Sequence, residues 1–203
     1  NWYEDKNMVA SAANFLLKNG TSGKSAFEVN EHFDYYGASL GRACYNETSL
    51  IQLHSLSKHL GVLLPAVREL LTDAIIPEEE LQLYKQNNRQ RLEVSLKKND
   101  FVANRLIDEY LFGFDHPYGR YSRFEDLAAL NREDILAFYK TYYQQGKCVV
   151  FVAGKLPANL FELLEANFGD LPLHNTAPAV KLHRPHPATE KKYRITNDAN
   201  GVQ

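Results

Sequence analysis

A length of 203 residues suits one sizeable domain, or one domain and the start of another. Hydrophobic residues at 44% and charged residues at 24% are ordinary for a globular protein, and a net charge of −2 offers no field to gather nucleic acid or acidic membrane. No basic cluster with interleaved aromatics occurs, and no apolar run reaches the ~18 residues of a membrane span.

The first helix is predicted over Lys6 to Leu17, where Met8, Val9, Ala12, Ala13, Leu16 and Leu17 recur at helical spacing. Asn19-Gly20-Thr21 ends it, with Gly20 suited to a left-handed cap. Ser25 and Glu28 form a capping box for a second helix, which Gly37 stops. Ala38 to Cys44 and Ser49 to Leu56 read as strands joined by a turn, an antiparallel hairpin. Ser57 opens a helix to about Ala74 with a stripe of leucines, and Pro65 threatens to kink it. Pro77 and the run Glu78-Glu79-Glu80 mark the start of a long helix to about Lys98. Another helix spans Phe101 to Phe112 and ends at Gly113.

A loop follows with the run Asp115-His116-Pro117-Tyr118-Gly119-Arg120, in which His116 is expected to hold the turn by hydrogen bonding. A short helix is expected from Phe124 to Leu130, and a longer one capped by Asn131. Lys147 to Ala153, a continuous β-branched run, is the strongest strand signal and predicts a buried sheet position. A last helix runs from Pro157 to about Phe168. Pro172, Pro178, Pro185 and Pro187 mark an extended, solvated linker, and Lys191 to Thr196 reads as a strand opening a second domain. Cys44 and Cys148 lie far apart in apolar runs and are read as buried free thiols. The chain begins at Asn1 without a Met, shows no signal peptide, and reads as a piece of a longer protein; soluble placement in cytoplasm or periplasm stays open.

Five features in order resemble one family. They are Lys18-Asn19-Gly20-Thr21 after the first helix, Tyr36-Gly37 after the second, the paired strands, Asp115 to Arg120, and Val149-Val150-Phe151-Val152-Ala153-Gly154. The set resembles the pitrilysin/insulinase zinc peptidases. The resemblance implies an α+β fold, a mostly antiparallel sheet packed by helices on one side. Residues 1–175 would be a peptidase-like domain lacking its first strands, 176–190 a linker, and 191–203 the first strand of a second related domain. It also implies two halves closing around a peptide chamber.

The family's catalytic signature is the inverted H-x-x-E-H on the first helix. Counting back from Gly20-Thr21 places Ser11, Asn14 and Phe15 at the His, Glu and His positions. A hydroxyl, an amide and a benzene ring supply neither imidazole ligands nor a base. Glu93 falls near the family's later metal-binding glutamate and reads as a solvated helix residue; the first helix simply buries Ala12, Phe15 and Leu16. His174, His183 and His186 read as part of a solvated linker rather than a metal site. The strand that would receive an extended substrate is Leu40-Gly41-Arg42-Ala43-Cys44, where the family usually has Asn-Ala in place of Gly41-Arg42.

The resemblance thus implies a non-catalytic peptidase-like domain with no metal of its own, zinc being expected only in a catalytic partner. Partners would be a related catalytic half or subunit, or a second copy, with peptide possible and no nucleic acid or membrane span. Two alternatives stand beside it: an active zinc endopeptidase with its metal motif elsewhere in a longer protein, and a scaffold with no peptide role.

Overall fold

The computed structural model describes residues 2–172 and 182–190. Helix α1 (Val9–Leu16) is the hub. Val9, Ala12, Ala13 and Leu16 fall on one stripe and are buried together with Leu17. The small alanines let neighbours close in, and α1 packs against strand β1 on one side and helix α7 on the other.

Helix α2 (Ala26–Tyr35) starts at the expected capping box, with the Ser25 and Glu28 side chains each satisfying the other's backbone N–H. Gly37 turns the chain with φ 61° into β1 (Ser39–Cys44). This strand pairs antiparallel with β2 (Ser49–His54), in the register Leu40 to Leu53 and Arg42 to Ile51. The hairpin is the whole sheet among the described residues.

A 3₁₀ turn at Ser57–His59 leads into α3 (Leu60–Asp73), which carries Pro65 in its interior without ending there. Pro77 then takes the cap position of α4 (Glu78–Ser95), and the three glutamates fill its first turn. Helix α5 (Asn99–Phe112) ends at Gly113, and α6 (Phe124–Ala129) and α7 (Arg132–Tyr142) follow. Asn131 caps α7 by accepting the Asp134 N–H at 2.9 Å. The last helix is α8 (Leu160–Phe168).

Tyr139 of α7 fixes the core against α3. Its hydroxyl donates to the Leu70 carbonyl at 3.0 Å and accepts the Ala74 N–H at 3.1 Å. That satisfies two backbone groups at the buried end of α3.

Two expectations fail. Lys147 to Ala153 forms no strand, and Val149, Val150, Phe151 and Val152 are 61%, 53%, 89% and 40% exposed. A β-branched run becomes a strand only where another strand bonds its backbone, and none does so among the described residues. Cys148 in that run is exposed and Cys44 only half-buried, so neither is a core thiol, and the two are not joined in a disulfide.

The chain between 182 and 190 is mostly exposed, as expected of a linker, and is also tied to the chain before Gly113. His186 N–H donates to the Phe112 carbonyl at 2.7 Å and Ala188 N–H to the Tyr110 carbonyl at 2.8 Å. His174, Pro178 and the strand expected over Lys191 to Thr196 lie outside the described residues.

Candidate functional site

The site sits where α1, β1 and α4 meet. Positions 11, 14 and 15 are three and four residues apart and so lie on one side of α1, yet their side chains take different partners.

Asn14 is buried, at 3% exposure. Its amide donates to the Tyr143 hydroxyl at 3.0 Å and to the Leu50 carbonyl at 3.4 Å, tying α1 to the chain after α7 and to β2. Burial pushes the Tyr143 phenol up to about 12, with hydrogen bonds from Ser49 and Asn14 opposing it.

Ser11 donates to the Met8 carbonyl at 3.0 Å, a local bond at the start of α1. It also reaches the Tyr84 hydroxyl of α4. Burial raises the Tyr84 phenol, and the Ser11 hydroxyl and the nearby Arg91 guanidinium oppose that.

Phe15 is not in the core: it is 44% exposed. The buried stripe runs through positions 9, 12, 13 and 16, and Phe15 lies beyond its edge. Its ring packs on Tyr84 with centroids 5.1 Å apart. The Arg42 guanidinium covers the ring at 4.7 Å and donates to the Phe15 carbonyl. That carbonyl belongs to the last turn of α1, where a cation also suits the helix dipole. Burial lowers the Arg42 guanidinium, and Arg42 in turn adds to the burial that lowers the Lys18 ammonium.

Beside Phe15 runs an open groove of about 610 Å³ along α4. Glu80, Tyr84, Asn87, Asn88, Arg91 and Lys98 face into it. Glu93 does not: it is exposed and outside the lining. Glu80 accepts a hydrogen bond from Asn19 at 2.6 Å.

A zinc ion does not fit this donor set. Phe15 has no ligand atom, the Asn14 amide nitrogen is committed to two acceptors, and Arg42 and Arg91 bring positive charge to the same place. Among the described residues no three His, Cys, Asp or Glu side chains gather as a metal group.

The candidate strand Leu40 to Cys44 is β1 itself. Leu40 is buried against the core, Gly41 is exposed, and Arg42 turns back onto α1. Cys44 lies near the Ser49 hydroxyl, 3.8 Å away, and burial raises its thiol.

Two supporting groups escape sequence reading. Glu4 is buried and accepts the Ala10 N–H at 2.8 Å, anchoring the first turn of α1. Burial raises its carboxyl, opposed by the Ala10 bond and by Arg120, whose guanidinium is 3.9 Å away. The Asp115 to Arg120 loop therefore braces the helix that bears Ser11, Asn14 and Phe15. Within that loop His116 holds the turn, its Nδ1 accepting the Tyr118 N–H at 3.2 Å. His183 lies against Trp2, rings 4.8 Å apart, and is not solvated as expected. A buried acid before a helix and a histidine after a proline-rich run carry no spacing signature of their own.

The family profile described as the peptidase M16 inactive domain matches residues 129–203. The match agrees with the resemblance to the M16, or pitrilysin/insulinase, type of peptidase. It is 24% identical over 190 residues to a Bacillus subtilis protein named an uncharacterized zinc protease, YmxG, covering 93% of this chain and 46% of that one. It is 25% identical over 171 residues to the probable mitochondrial-processing peptidase subunit beta of Schizosaccharomyces pombe, covering 81% and 36%. Among solved structures, a protease from Helicobacter pylori superposes with a TM-score of 0.74 at 18% identity, covering 91% of this chain and 45% of that chain. The chain thus spans less than half the length of the curated relatives it matches. Its α+β architecture and peptidase-like character agree with the resemblance in the sequence. No helix among the described residues is long and apolar enough to cross a membrane.

Proposed function

We propose that this M16 domain is non-catalytic and helps to wall a peptide chamber, together with a catalytic half or subunit that supplies the zinc. The observation that carries this reading is the use of the three signature positions. Asn14 is a buried structural tie, Ser11 bonds within α1 and to Tyr84, and Phe15 is capped by Arg42. None is poised to bind a cation or to take a proton from water.

Substrate would be held through β1. One edge of Leu40-Gly41-Arg42-Ala43-Cys44 bonds β2, and no strand occupies the other among the described residues. An extended peptide added there gains affinity from main-chain hydrogen bonds, which need no particular side chain from Gly41. Arg42, held on Phe15, would shape that edge rather than reach into the peptide. One relative carries the name of a subunit, and the chain spans less than half of each curated relative, which fits a domain that works as part of a larger peptidase.

The test is isolation of the full-length protein with whatever co-purifies, and peptide cleavage measured on that assembly and on this chain alone. Chelator-sensitive cleavage is expected only with the assembly. Cleavage by this chain alone would overturn the reading, and an assembly that neither cleaves nor binds peptide would favour a scaffold.

A further inference from the structure

The groove along α4 carries a charge pattern that the loss of chemistry does not explain. Its floor is apolar and open to water: Phe15, Leu83 and Val94 are 44%, 51% and 59% exposed. Its wall is amide-rich, and the side chains of Asn87 and Gln90 make no hydrogen bond among the described residues. Amides of this kind can both donate to and accept from a passing peptide backbone.

Charge is divided along the groove. At one end Glu80 is tied to Asn19. Towards the other end stand Arg91 and Lys98, both exposed, and neither has an ion-pair partner among the described residues. Arg91 lies on α4 and Lys98 just past its end, before α5, and both line the groove. Arg42 and Lys18 add positive charge beside Phe15, and no carboxylate other than Glu80 lines the groove.

We propose that this groove binds an extended peptide bearing carboxylates, with Arg91 and Lys98 as its specificity-determining cations. This rests on the peptide-holding reading above and adds the class of peptide. Within α4, from Glu80 to Ser95, the groove runs about 22 Å, the length of about seven extended residues. Arg91 offers a planar fork for one carboxylate, and Lys98 a mobile point charge for the next. Phe15 and Val94 cover the apolar stems of the side chains between them.

The test uses the 203-residue chain and fluorescein-labelled ten-residue peptides with a central Glu-Ala-Ala-Glu, Gln-Ala-Ala-Gln or Lys-Ala-Ala-Lys, read by anisotropy at low and high salt. The Glu peptide is expected to bind about tenfold more tightly than the Gln peptide at low salt, and to lose that margin as salt rises. Arg91→Gln with Lys98→Gln should bring the Glu peptide down to the Gln level. Both side chains are exposed, so the variant should keep the wild-type melting temperature. Equal binding of Glu and Gln peptides, preference for the Lys peptide, no binding of any peptide, or unchanged selectivity in the double variant would each overturn the proposal. So would a dimer in sedimentation that the double variant dissociates, since a second copy would then own this face. A missing catalytic partner would defeat the chamber reading and leave this selectivity intact.

Discussion

Replacing Asn14 with alanine tests whether its buried amide is a structural tie. The wild-type amide donates to the Tyr143 hydroxyl at 3.0 Å and the Leu50 carbonyl at 3.4 Å, at 3% exposure. Alanine leaves the Leu50 carbonyl without that donor, while Tyr143 keeps its contact with Ser49. A buried polar group left unsatisfied costs about 1–3 kcal/mol, so Asn14→Ala should cost about 2 kcal/mol. For a chain of this length that is a fall in melting temperature of about 4–8 °C. Urea unfolding at neutral pH measures it. A double-mutant cycle with Tyr143→Phe should return a coupling of about 1 kcal/mol, because the two side chains share one bond. An Asn14→Ala variant within about 0.5 kcal/mol of wild type, or a cycle with no coupling, would refute the reasoning.

Tyr139→Phe removes the acceptor of the Ala74 N–H and the donor to Leu70; it should cost about 1–3 kcal/mol in the same assay. The Tyr143 phenol ionises at about 12 when folded, against about 10 unfolded, so its contribution to stability is complete below pH 10. That contribution, about 2–3 kcal/mol, should be lost as pH rises from about 10 to about 12, and Tyr143→Phe should flatten this part of the stability curve. Gly113 has φ 83°, and a Cβ there would meet the His186 carbonyl oxygen at 2.8 Å. Gly113→Ala should therefore release the 182–190 segment, seen as faster amide exchange at His186 and Ala188; unchanged exchange would refute the docking.

Where sequence and structure agree, the cause is local. The Ser25–Glu28 box, the Asn131 cap, the Gly113 stop and the leucine stripe of α3 each act within one or two turns, so their spacing exposes them. The hairpin was legible for the same reason, because a short turn joins its strands. Lys147 to Ala153 was not, because its apolar run reports a capacity for pairing, and pairing depends on a distant strand. Phe15 was misplaced by its chemistry: an aromatic ring on an apolar helix reads as core, but here a guanidinium from β1 covers it. The residue types of Ser11, Asn14 and Phe15 are plain in the chain. Their partners are not, since Arg42, Tyr84 and Tyr143 come from three other segments. Arg91, rather than Glu93, faces the groove because the helical phase of α4 turns residues 80, 84, 87, 88 and 91 to one side.

The central claim is that α1 offers a cation nothing to bind. Zinc titrated into the purified chain against a chromophoric chelator, with total metal measured on the same sample, tests it directly. The expected result is no stoichiometric zinc and no competition with the chelator. One tightly held zinc per chain, lost on Ser11→Ala or Asn14→Ala, would contradict it.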